Sequence, residues 1–385
     1  MKIIYHIFKA DTFFHSIDII DSTISKSKFH HYFLIVGINC KNRSVFDKLF
    51  TAKDYKDYKY FYDSDENINC EKPIVQKLYN IVGNYIKKYE LDILKYICKN
   101  NLKILILHSN YSTLFYLILS FYWRLNKNWY CWGSIFNKNK SIFRKILLTA
   151  IYMRIYKSFN NIICTMEPDC IQLKTEFNVK NVHYLPYLNI NTIETSYLEI
   201  DKKTNDRIKI VLGNSGQCLE SYYQLIEMLK RFINKDITID CLLNYGGSEF
   251  RNIDFINYSK TIYGRKIKAH TSILAKDDYV KLMKEFDIYI SSVTTQSGLG
   301  AIYLMLKLGK KVFLAGSNYQ HIKNLGAIVF HSDTISELSF DVFSTPLTIN
   351  EKRNNYEIIN NLKNCEILSI RWENFYSQLG EIITL

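Results

Sequence analysis

Residues 208–216 read IKIVLGNSG, an aliphatic run that ends in glycine and small polar residues. A helical pattern follows over residues 219–232, so the segment predicts a strand, a tight turn and a helix. Backbone N–H groups at the start of such a helix bind phosphate, because they lie at the positive end of the helix dipole. An ordinary strand-to-helix turn has the same pattern, so this segment alone leaves both interpretations open.

The same alternation continues through the second half of the chain. Further strands are predicted at 237–243, 288–291, 312–314 and 328–330, and helices at 250–263 and 299–308. Strands that alternate with helices of this length predict a parallel sheet covered on both faces. Ten of the 14 glycines lie between Gly213 and Gly326, several of them where a strand gives way to a helix. Ligands of open parallel sheets bind at these carboxyl ends.

Three of these junctions predict a binding site for a nucleotide diphosphate and its sugar. They are the turn after residue 212, the segment NYGGSE at 244–249, and SSVTTQSGLG at 291–300, where Ser297 is the expected helix N-cap. At 244–249 the alternative is a glycine-rich turn with a carboxylate at the start of a helix. At 291–300 the alternative is close packing of the helix against the sheet. The candidate donor-binding residues are Gly213, Asn214, Ser215, Gly216, Tyr245, Glu249, Ser291, Gln296, Ser297, Gly298 and Gly300.

The first half repeats the alternation less regularly. Strands are predicted at 3–7, 32–36, 104–107 and 161–164, and the polar stretch 189–206 is the best linker candidate. We therefore expect an acceptor-binding Rossmann-like domain at 1–195 and a nucleotide-sugar-binding Rossmann-like domain at 196–348. Residues 349–385 are predicted to form helices that pack back towards the first domain.

The loop after the first predicted strand carries candidate catalytic groups. Asp11 or His15 could remove the proton of an acceptor hydroxyl, as general-base catalysis requires. A surface loop capped by Asp11 is the alternative. His108, after the strand at 104–107, is a further candidate at the same edge of the sheet. Asp63-Ser64-Asp65 resembles a metal-binding pair but lacks glycine-rich phosphate features beside it, so we expect no metal and no cofactor.

Charge points to an anionic partner for the first half. The 385-residue chain has 50 Lys and Arg against 37 Asp and Glu, and residues 101–160 contain nine basic residues and no acidic one. Aromatic and basic residues interleave over 129–157, which predicts contact with an anionic membrane surface. A core helix with a solvated basic face, or less favourably a nucleic-acid patch, would give the same pattern. The residues expected to face acceptor or membrane are Lys9, His108, Trp132, Arg144 and Lys145.

Other features of the sequence narrow the class of protein. The 48% hydrophobic and 23% charged residues are typical of globular proteins and argue against a fibrous or disordered chain. Nine cysteines without a Cys-x-x-Cys pair fit a reducing cytoplasm better than a disulfide framework or zinc site. The apolar run at 111–122 is too short to span a bilayer and predicts a buried helix. The N-terminus predicts a first strand rather than a secretion signal.

These patterns together predict an α/β protein of the GT-B type, with two Rossmann-like domains whose parallel sheets face each other across a cleft. Periplasmic-type binding proteins share that outline. The chain also resembles glycosyltransferase family 56, the 4-acetamido-4,6-dideoxygalactose transferases of enterobacterial common antigen synthesis. The likeness is strongest over 208–330, through VLGNSG and SGLGAIYLMLKLG, and weaker likeness extends through CTMEPD at 164–169, Trp132-Gly133 and the loop at 9–15.

The resemblance implies a peripheral glycosyltransferase at the cytoplasmic face of the bacterial inner membrane. Such an enzyme moves a deoxyamino sugar from a dTDP-sugar donor to a polyprenyl-diphosphate-linked saccharide in surface polysaccharide synthesis, without metal or nucleic acid. A GT-B enzyme that uses a UDP- or GDP-sugar, and a non-catalytic protein that binds nucleotide-sugar or anionic lipid, are the alternatives.

Overall fold

The computed structural model describes residues 3–10, 27–38, 43, 47, 57–62, 86–108, 110–131, 142–186, 207–244, 247–272, 274, 276–362 and 364–381, with only the backbone described at 142–149, 217, 276, 365, 380 and 381. Packing divides the chain into two compact units. Unit 1 comprises Met1–Ile190 together with Cys365–Leu385, and unit 2 comprises Asn191–Asn364. The predicted linker at 189–206 lies outside the described residues.

The sheet of unit 1 has seven parallel strands in the order β3-β2-β1-β4-β5-β6-β7. The strands are β1 (Ile3–Lys9), β2 (His30–Ile38), β3 (Tyr58–Tyr62), β4 (Ile104–Leu107), β5 (Asn126–Cys131), β6 (Asn161–Cys164) and β7 (Val182–Tyr184). Its described helices are α1 (Lys88–Asn100), α2 (Thr113–Leu119), α3 (Ile142–Ser158), α4 (Glu167–Phe177) and, from the end of the chain, α12 (Cys365–Glu381).

The sheet of unit 1 is buried on both faces. Alternate residues such as Ile7 and Leu107 belong to a core that includes apolar residues of α1, α2 and α4. Side chains on the other face of the sheet, including Ile4 and Tyr130, pack against α12, where Trp372 is buried. The C-terminal helix therefore supplies part of the core of the N-terminal sheet.

Unit 2 contains a second parallel sheet of six strands, in the order β10-β9-β8-β11-β12-β13. The strands are β8 (Ile208–Leu212), β9 (Ile237–Leu242), β10 (Ile267–His270), β11 (Ile288–Ser291), β12 (Lys311–Leu314) and β13 (Phe330–His331). Its described α-helices are α5 (Leu219–Leu229), α6 (Glu249–Tyr263), α7 (Lys276–Lys284), α8 (Leu299–Lys307), α9 (Gly316–Asn324), α10 (Phe340–Ser344) and α11 (Ile349–Leu362). The predicted α/β class with parallel sheets is confirmed.

Strand β5 is the main element that hydrophobic patterning missed. All six residues are buried, although the strand begins Asn126-Lys127-Asn128. The ammonium of Lys127 donates to the carbonyl of Leu119 (3.3 Å), and the amide of Asn128 donates to the carbonyl of Leu105 (3.1 Å). The prediction that the aromatic and basic residues of 129–157 contact a membrane was wrong for Trp129 and Tyr130, because β5 is an internal strand of the sheet and places these side chains in the interior.

Three buried histidines form a hydrogen-bonded chain on the α12 side of the unit 1 sheet. Nδ1 of His6 lies 2.8 Å from Nε2 of His108, and Nε2 of His6 lies 2.8 Å from Nδ1 of His31. Nε2 of His31 lies 2.8 Å from the hydroxyl of Ser27. We call these three residues the histidine chain. Burial, followed by the charge of neighbouring histidines, holds the pKa of His6 and His108 well below the usual range and lowers that of His31 to about 4.

These pKa shifts predict that acid destabilises the fold. Between the unfolded value near 6.5 and the lower folded values, the unfolded chain binds more protons, so stability falls as the pH falls from 7 towards 4. Each histidine contributes up to about 1.4 kcal/mol per pH unit. We expect the urea-unfolding free energy of His31→Gln to fall less steeply than that of the wild type between pH 7 and pH 5. Equal slopes would contradict this account.

Candidate functional site

The candidate site lies at the carboxyl edge of the unit 2 sheet. The chain runs from β8 to β9 and β10 on one side, and then returns to β11 on the other side of β8. The topological switch point of the sheet is therefore between β8 and β11. Open α/β sheets bind ligands in the crevice at this point, outside the ends of the strands.

The loop after β8 is held by a buried tyrosine of α5. The phenol of Tyr222 donates to the carbonyl of Leu242 at the end of β9 (2.7 Å) and accepts from the N–H of Ser215 (3.2 Å). Burial raises the pKa of Tyr222 well above its usual range, so the phenol keeps its proton. Gly213 has φ +59°, and a Cβ there would lie 2.1 Å from the Tyr222 oxygen. Only glycine fits at this position.

The loop after β11 packs directly against the loop after β8. Gly298 has φ +67°, and a Cβ there would lie 2.6 Å from Cγ of Asn214. The hydroxyl of Ser297 donates to Oδ1 of Asn214 (3.3 Å), while the buried amide of Asn318 donates to the carbonyl of Ser297 (2.8 Å). Asn214, Ser297 and Gly298 are thus brought together, as the sequence analysis expected of two loops of one site.

Gly298, not Ser297, is the N-cap of α8, so the predicted cap was wrong. The Ser297 hydroxyl instead bonds to Asn214, and the N-cap offers no side-chain acceptor to the first turn. The N–H groups of this turn, which includes Gly300, lie at the positive end of the helix dipole. This arrangement suits an anionic group at the switch point.

Two further loops close the same edge. Gly247, after β9, has φ +84°, and a Cβ there would lie 2.4 Å from the carbonyl oxygen of Gly216. Gly316, after β12, has φ +53°, and a Cβ there would lie 2.1 Å from the carbonyl oxygen of Thr294. The N–H of Ser317 also donates to that carbonyl (2.9 Å). Four neighbouring loops therefore pack closely at this edge, through backbone contacts at Gly247 and Gly316 and through side-chain contacts at Gly213 and Gly298.

Sequence reasoning missed two of the residues that hold these loops. Gly316 could have been found, because it follows the predicted strand 312–314. Tyr222 could not, since it occupies an ordinary apolar position of an amphipathic helix. Its bonds to Ser215 and Leu242 depend on tertiary structure alone.

The remaining candidate donor-binding residues differ in burial and in the elements that carry them. Ser291 is buried as the last residue of β11, and Gln296 is half-buried in the loop that follows. Glu249 is exposed as the first residue of α6, after the N-cap Ser248. Tyr245 lies outside the described residues.

The candidates of unit 1 include two described side chains. Lys9 ends β1, with its ammonium 5.2 Å from the centre of the Tyr111 ring. His108 follows β4 and is only 2% exposed, so its side chain is not available for direct contact with a membrane surface. Asp11, His15 and Trp132 lie outside the described residues, and the side chains of Arg144 and Lys145 are not described.

The described residues provide neither a cluster of metal-ligating side chains nor a membrane-spanning helix. Within that part of the chain, no group of three or more His, Cys, Asp or Glu side chains has an arrangement that could hold a metal ion. None of the described helices is long and apolar enough to cross a bilayer.

Comparisons with solved structures give the same architecture at low sequence identity. A glycosyltransferase from Rickettsia africae matches with TM-score 0.60 and 15% identity, covering 98% of each chain. Anabaena HepE in complex with UDP-glucose matches with TM-score 0.63 and 11% identity, covering 98% of this chain and 100% of that one. Sucrose-phosphate synthase from Thermosynechococcus elongatus matches with TM-score 0.66 and 11% identity, covering 99% and 100%. These likenesses confirm the GT-B fold.

Comparison with protein families identifies the chain more closely. Residues 48–344 match the family described as 4-alpha-L-fucosyltransferase, glycosyl transferase group 56. The match covers more than half of the chain, and the fold is that of nucleotide-sugar glycosyltransferases. The protein therefore belongs to glycosyltransferase group 56 and is a GT-B enzyme that transfers a sugar from a nucleotide-sugar donor.

Proposed function

We propose that this enzyme transfers a 4-acetamido-4,6-dideoxygalactose-like sugar from a dTDP-sugar to a polyprenyl-diphosphate-linked saccharide. The reaction belongs to bacterial surface polysaccharide synthesis at the cytoplasmic face of the inner membrane. The family match supports this choice of chemistry, and the cluster of loops at the carboxyl edge of unit 2 supports the position of the donor.

The observation that carries the donor site is the start of α8. Its N-cap is Gly298, which has no side chain that could accept a hydrogen bond from the first turn. The loops after β8 and β11 meet beside it. Glycine lets the backbone approach a diphosphate closely, and the N–H groups of the first helical turn then face its charge. The same dipoles stabilise the negative charge that develops on the departing nucleoside diphosphate.

Acceptor activation belongs to unit 1 in this proposal. Asp11 or His15 takes the proton of the acceptor hydroxyl, and Lys9 attracts the diphosphate of the acceptor lipid. Lys9 ends β1 and His108 follows β4, so both lie at the carboxyl edge of their sheet. That edge is where parallel sheets place their ligand-binding residues.

A UDP-sugar is the second candidate donor. Anabaena HepE, which shares the fold, has been crystallised with UDP and with UDP-glucose. A donor that carries uridine instead of thymidine would use the same diphosphate contacts, so the loops at the carboxyl edge do not distinguish the two bases.

Nucleotide binding tests the proposal directly. We expect millimolar dTDP, with or without EDTA, to raise the unfolding temperature more than UDP, GDP or ADP. A ligand at 100 times its Kd stabilises the folded state by about 2.7 kcal/mol. A larger shift with UDP would favour the second candidate, and no shift with any nucleotide would contradict the donor site.

Removal of the Tyr222 hydroxyl should weaken both the fold and donor binding. Tyr222→Phe leaves the Ser215 N–H and the Leu242 carbonyl without this partner, which costs about 1–3 kcal/mol of stability. We also expect at least a tenfold higher Kd for dTDP by calorimetry, because the loop after β8 is released.

Tyr263→Phe is the matched control for this variant. Its phenol donates to the carbonyl of Ile226 (2.8 Å) within the same core but holds none of the four loops. It should lose stability and keep the wild-type Kd. Equal Kd values for the two variants would show that Tyr222 does not position a donor loop.

A methyl group at Gly298 should disrupt the contact between two loops. Gly298→Ala places a Cβ about 2.6 Å from Asn214, so we expect at least a tenfold loss of kcat/KM for the donor. Gly326→Ala is the control, since Gly326 also has positive φ (+88°) but a Cβ there meets only Ile358 at 3.6 Å. Parallel losses in both variants would attribute the effect to backbone strain rather than to the site.

Exposed aromatics in unit 1 favour membrane contact as part of the proposal. Phe121 and Trp123, in the turn before β5, are 62% and 78% exposed. The guanidinium of Arg154 lies 4.3 Å from the Phe121 ring centre, and that of Arg124 lies 4.6 Å from the Trp123 ring centre. Aromatic rings beside cations suit the headgroup region of an anionic bilayer.

Liposome flotation tests this contact. We expect the wild type to float with vesicles that contain phosphatidylglycerol at physiological salt, and the Phe121→Ser/Trp123→Ser variant to float several-fold less. Phe250→Ser is the control, because Phe250 is a similarly exposed aromatic in unit 2. Failure of the wild type to float would remove membrane attachment from the proposal.

A further inference from the structure

A histidine and an aspartate form a close pair at the carboxyl end of β10 in unit 2. Nε2 of His270 lies 2.6 Å from Oδ2 of Asp240 in β9. Ile267 and Ala269 of β10 pack into the core that includes residues of α5 and α6, so His270 lies on the opposite face of the sheet. The side chains of His270 and Asp240 are 11% and 16% exposed.

This pair fixes both the position and the tautomer of the imidazole. The carboxylate accepts the hydrogen bond, so Nε2 carries hydrogen and the neutral ring presents the lone pair of Nδ1. The N–H of Leu243 donates to the carbonyl of His270 (2.8 Å), which holds the main chain at the end of the strand. Within the described part of the chain, Nδ1 of His270 has no hydrogen-bond partner. His270 thus offers one oriented acceptor at the ligand-binding edge of the sheet.

The distance between His270 and the proposed diphosphate site suits a nucleoside. The strand order places β9 and then β10 beside β8, on the side away from β11. Neighbouring strands are about 4.8 Å apart, so the end of β10 lies roughly 10 Å along the edge from the loop after β8. A ribose and a pyrimidine ring attached to a diphosphate at the switch point cover this distance, with the ribose near β9 and the base near β10.

The opposite end of the sheet has a histidine whose acceptor is already used. His331 ends β13 and lies beside Asp333, with its Nδ1 3.7 Å from Oδ2 of that residue. The same Nδ1 accepts from the N–H of Asp333 (3.4 Å) and so caps a short 3₁₀ helix. Of these two histidines at strand ends, His270 is therefore the one that can accept from a ligand.

We propose that Nδ1 of His270, oriented by Asp240, accepts a hydrogen bond from the N3–H group of the donor's pyrimidine base. This rests on the proposed function, in which the donor is a dTDP-sugar. Thymine and uracil carry a hydrogen on N3, whereas N3 of cytosine is itself an acceptor. The contact selects thymine and uracil nucleotides over cytosine nucleotides, because cytosine would leave two acceptors facing each other.

Calorimetry with three nucleotides tests the contact. We expect the wild type to bind dTDP roughly tenfold more tightly than dCDP or N3-methyl-dTDP, which have no hydrogen on N3. In His270→Ala the three Kd values should become similar, because the acceptor is gone. The wild-type ratios in folded His270→Ala would overturn the proposal and leave the dTDP donor in place. Absence of dTDP binding to the wild type would overturn the proposed function as well.

Three further variants separate this contact from a general loss of stability. His331→Ala should keep the wild-type ratios, since this histidine is at the other end of the sheet. Asp240→Asn should also keep them, because the amide oxygen still accepts from Nε2, whereas Asp240→Ala should reduce them by releasing the ring. Equal losses in His331→Ala and His270→Ala would overturn the proposal, and wild-type ratios in Asp240→Ala would overturn the orienting role of Asp240.

Nitrogen NMR of the wild-type protein with ¹⁵N-labelled histidine tests the proposal without a variant. We expect Nε2 of His270 to carry hydrogen, and the Nδ1 signal to shift on addition of dTDP or UDP but not of dCDP. Hydrogen on Nδ1 in the free enzyme, or an Nδ1 signal that bound dTDP leaves unchanged, would overturn the proposal. A shift with UDP but not with dTDP would support the contact and replace the thymidine donor by a uridine donor.

Discussion

Unit 2 depends on close contacts between loops that leave no room for a side chain at four glycines. Gly213, Gly247, Gly298 and Gly316 each place the main chain where a Cβ would overlap a neighbouring loop or Tyr222. All four follow parallel strands, and each has positive φ. The start of α8 and the ends of β8 and β11 are consequently held together at the switch point of the sheet. A site that binds a nucleoside diphosphate through backbone N–H groups needs this rigidity, since those groups cannot adjust independently.

Unit 1 is built differently, with polar side chains in the interior of the sheet. Asn128 and Lys127 of β5 and the three rings of the histidine chain are all buried, and each makes hydrogen bonds. Burial of such groups is unfavourable unless they are paired, so the arrangement restricts which strands can lie side by side. The hydrogen bonds between the rings make the proton positions in the histidine chain depend on one another.

Sequence patterns predicted most of the second sheet, because most of its strands are rich in aliphatic residues and several are followed by glycine-containing loops. Strands β4, β6, β8 and β11 have the predicted bounds. Strand β5 was not predicted, because its first three residues are polar and their hydrogen bonds form only in the folded sheet. In the site, the glycine loops were visible in the sequence, whereas Tyr222 was not. In unit 1, His108 was a candidate, but its hydrogen-bonded connection to His6 and His31 was not visible. These interactions join residues that are far apart in the chain, so local sequence periodicity cannot reveal them.

The central claim is that the N–H groups at the start of α8 receive the donor diphosphate. Hydrogen exchange measured with and without saturating dTDP tests it most directly. The account predicts slower exchange in peptides that cover 211–218 and 296–304, and unchanged exchange in α1 of unit 1. Unchanged exchange in both unit 2 peptides, at a dTDP concentration shown to bind, would contradict it.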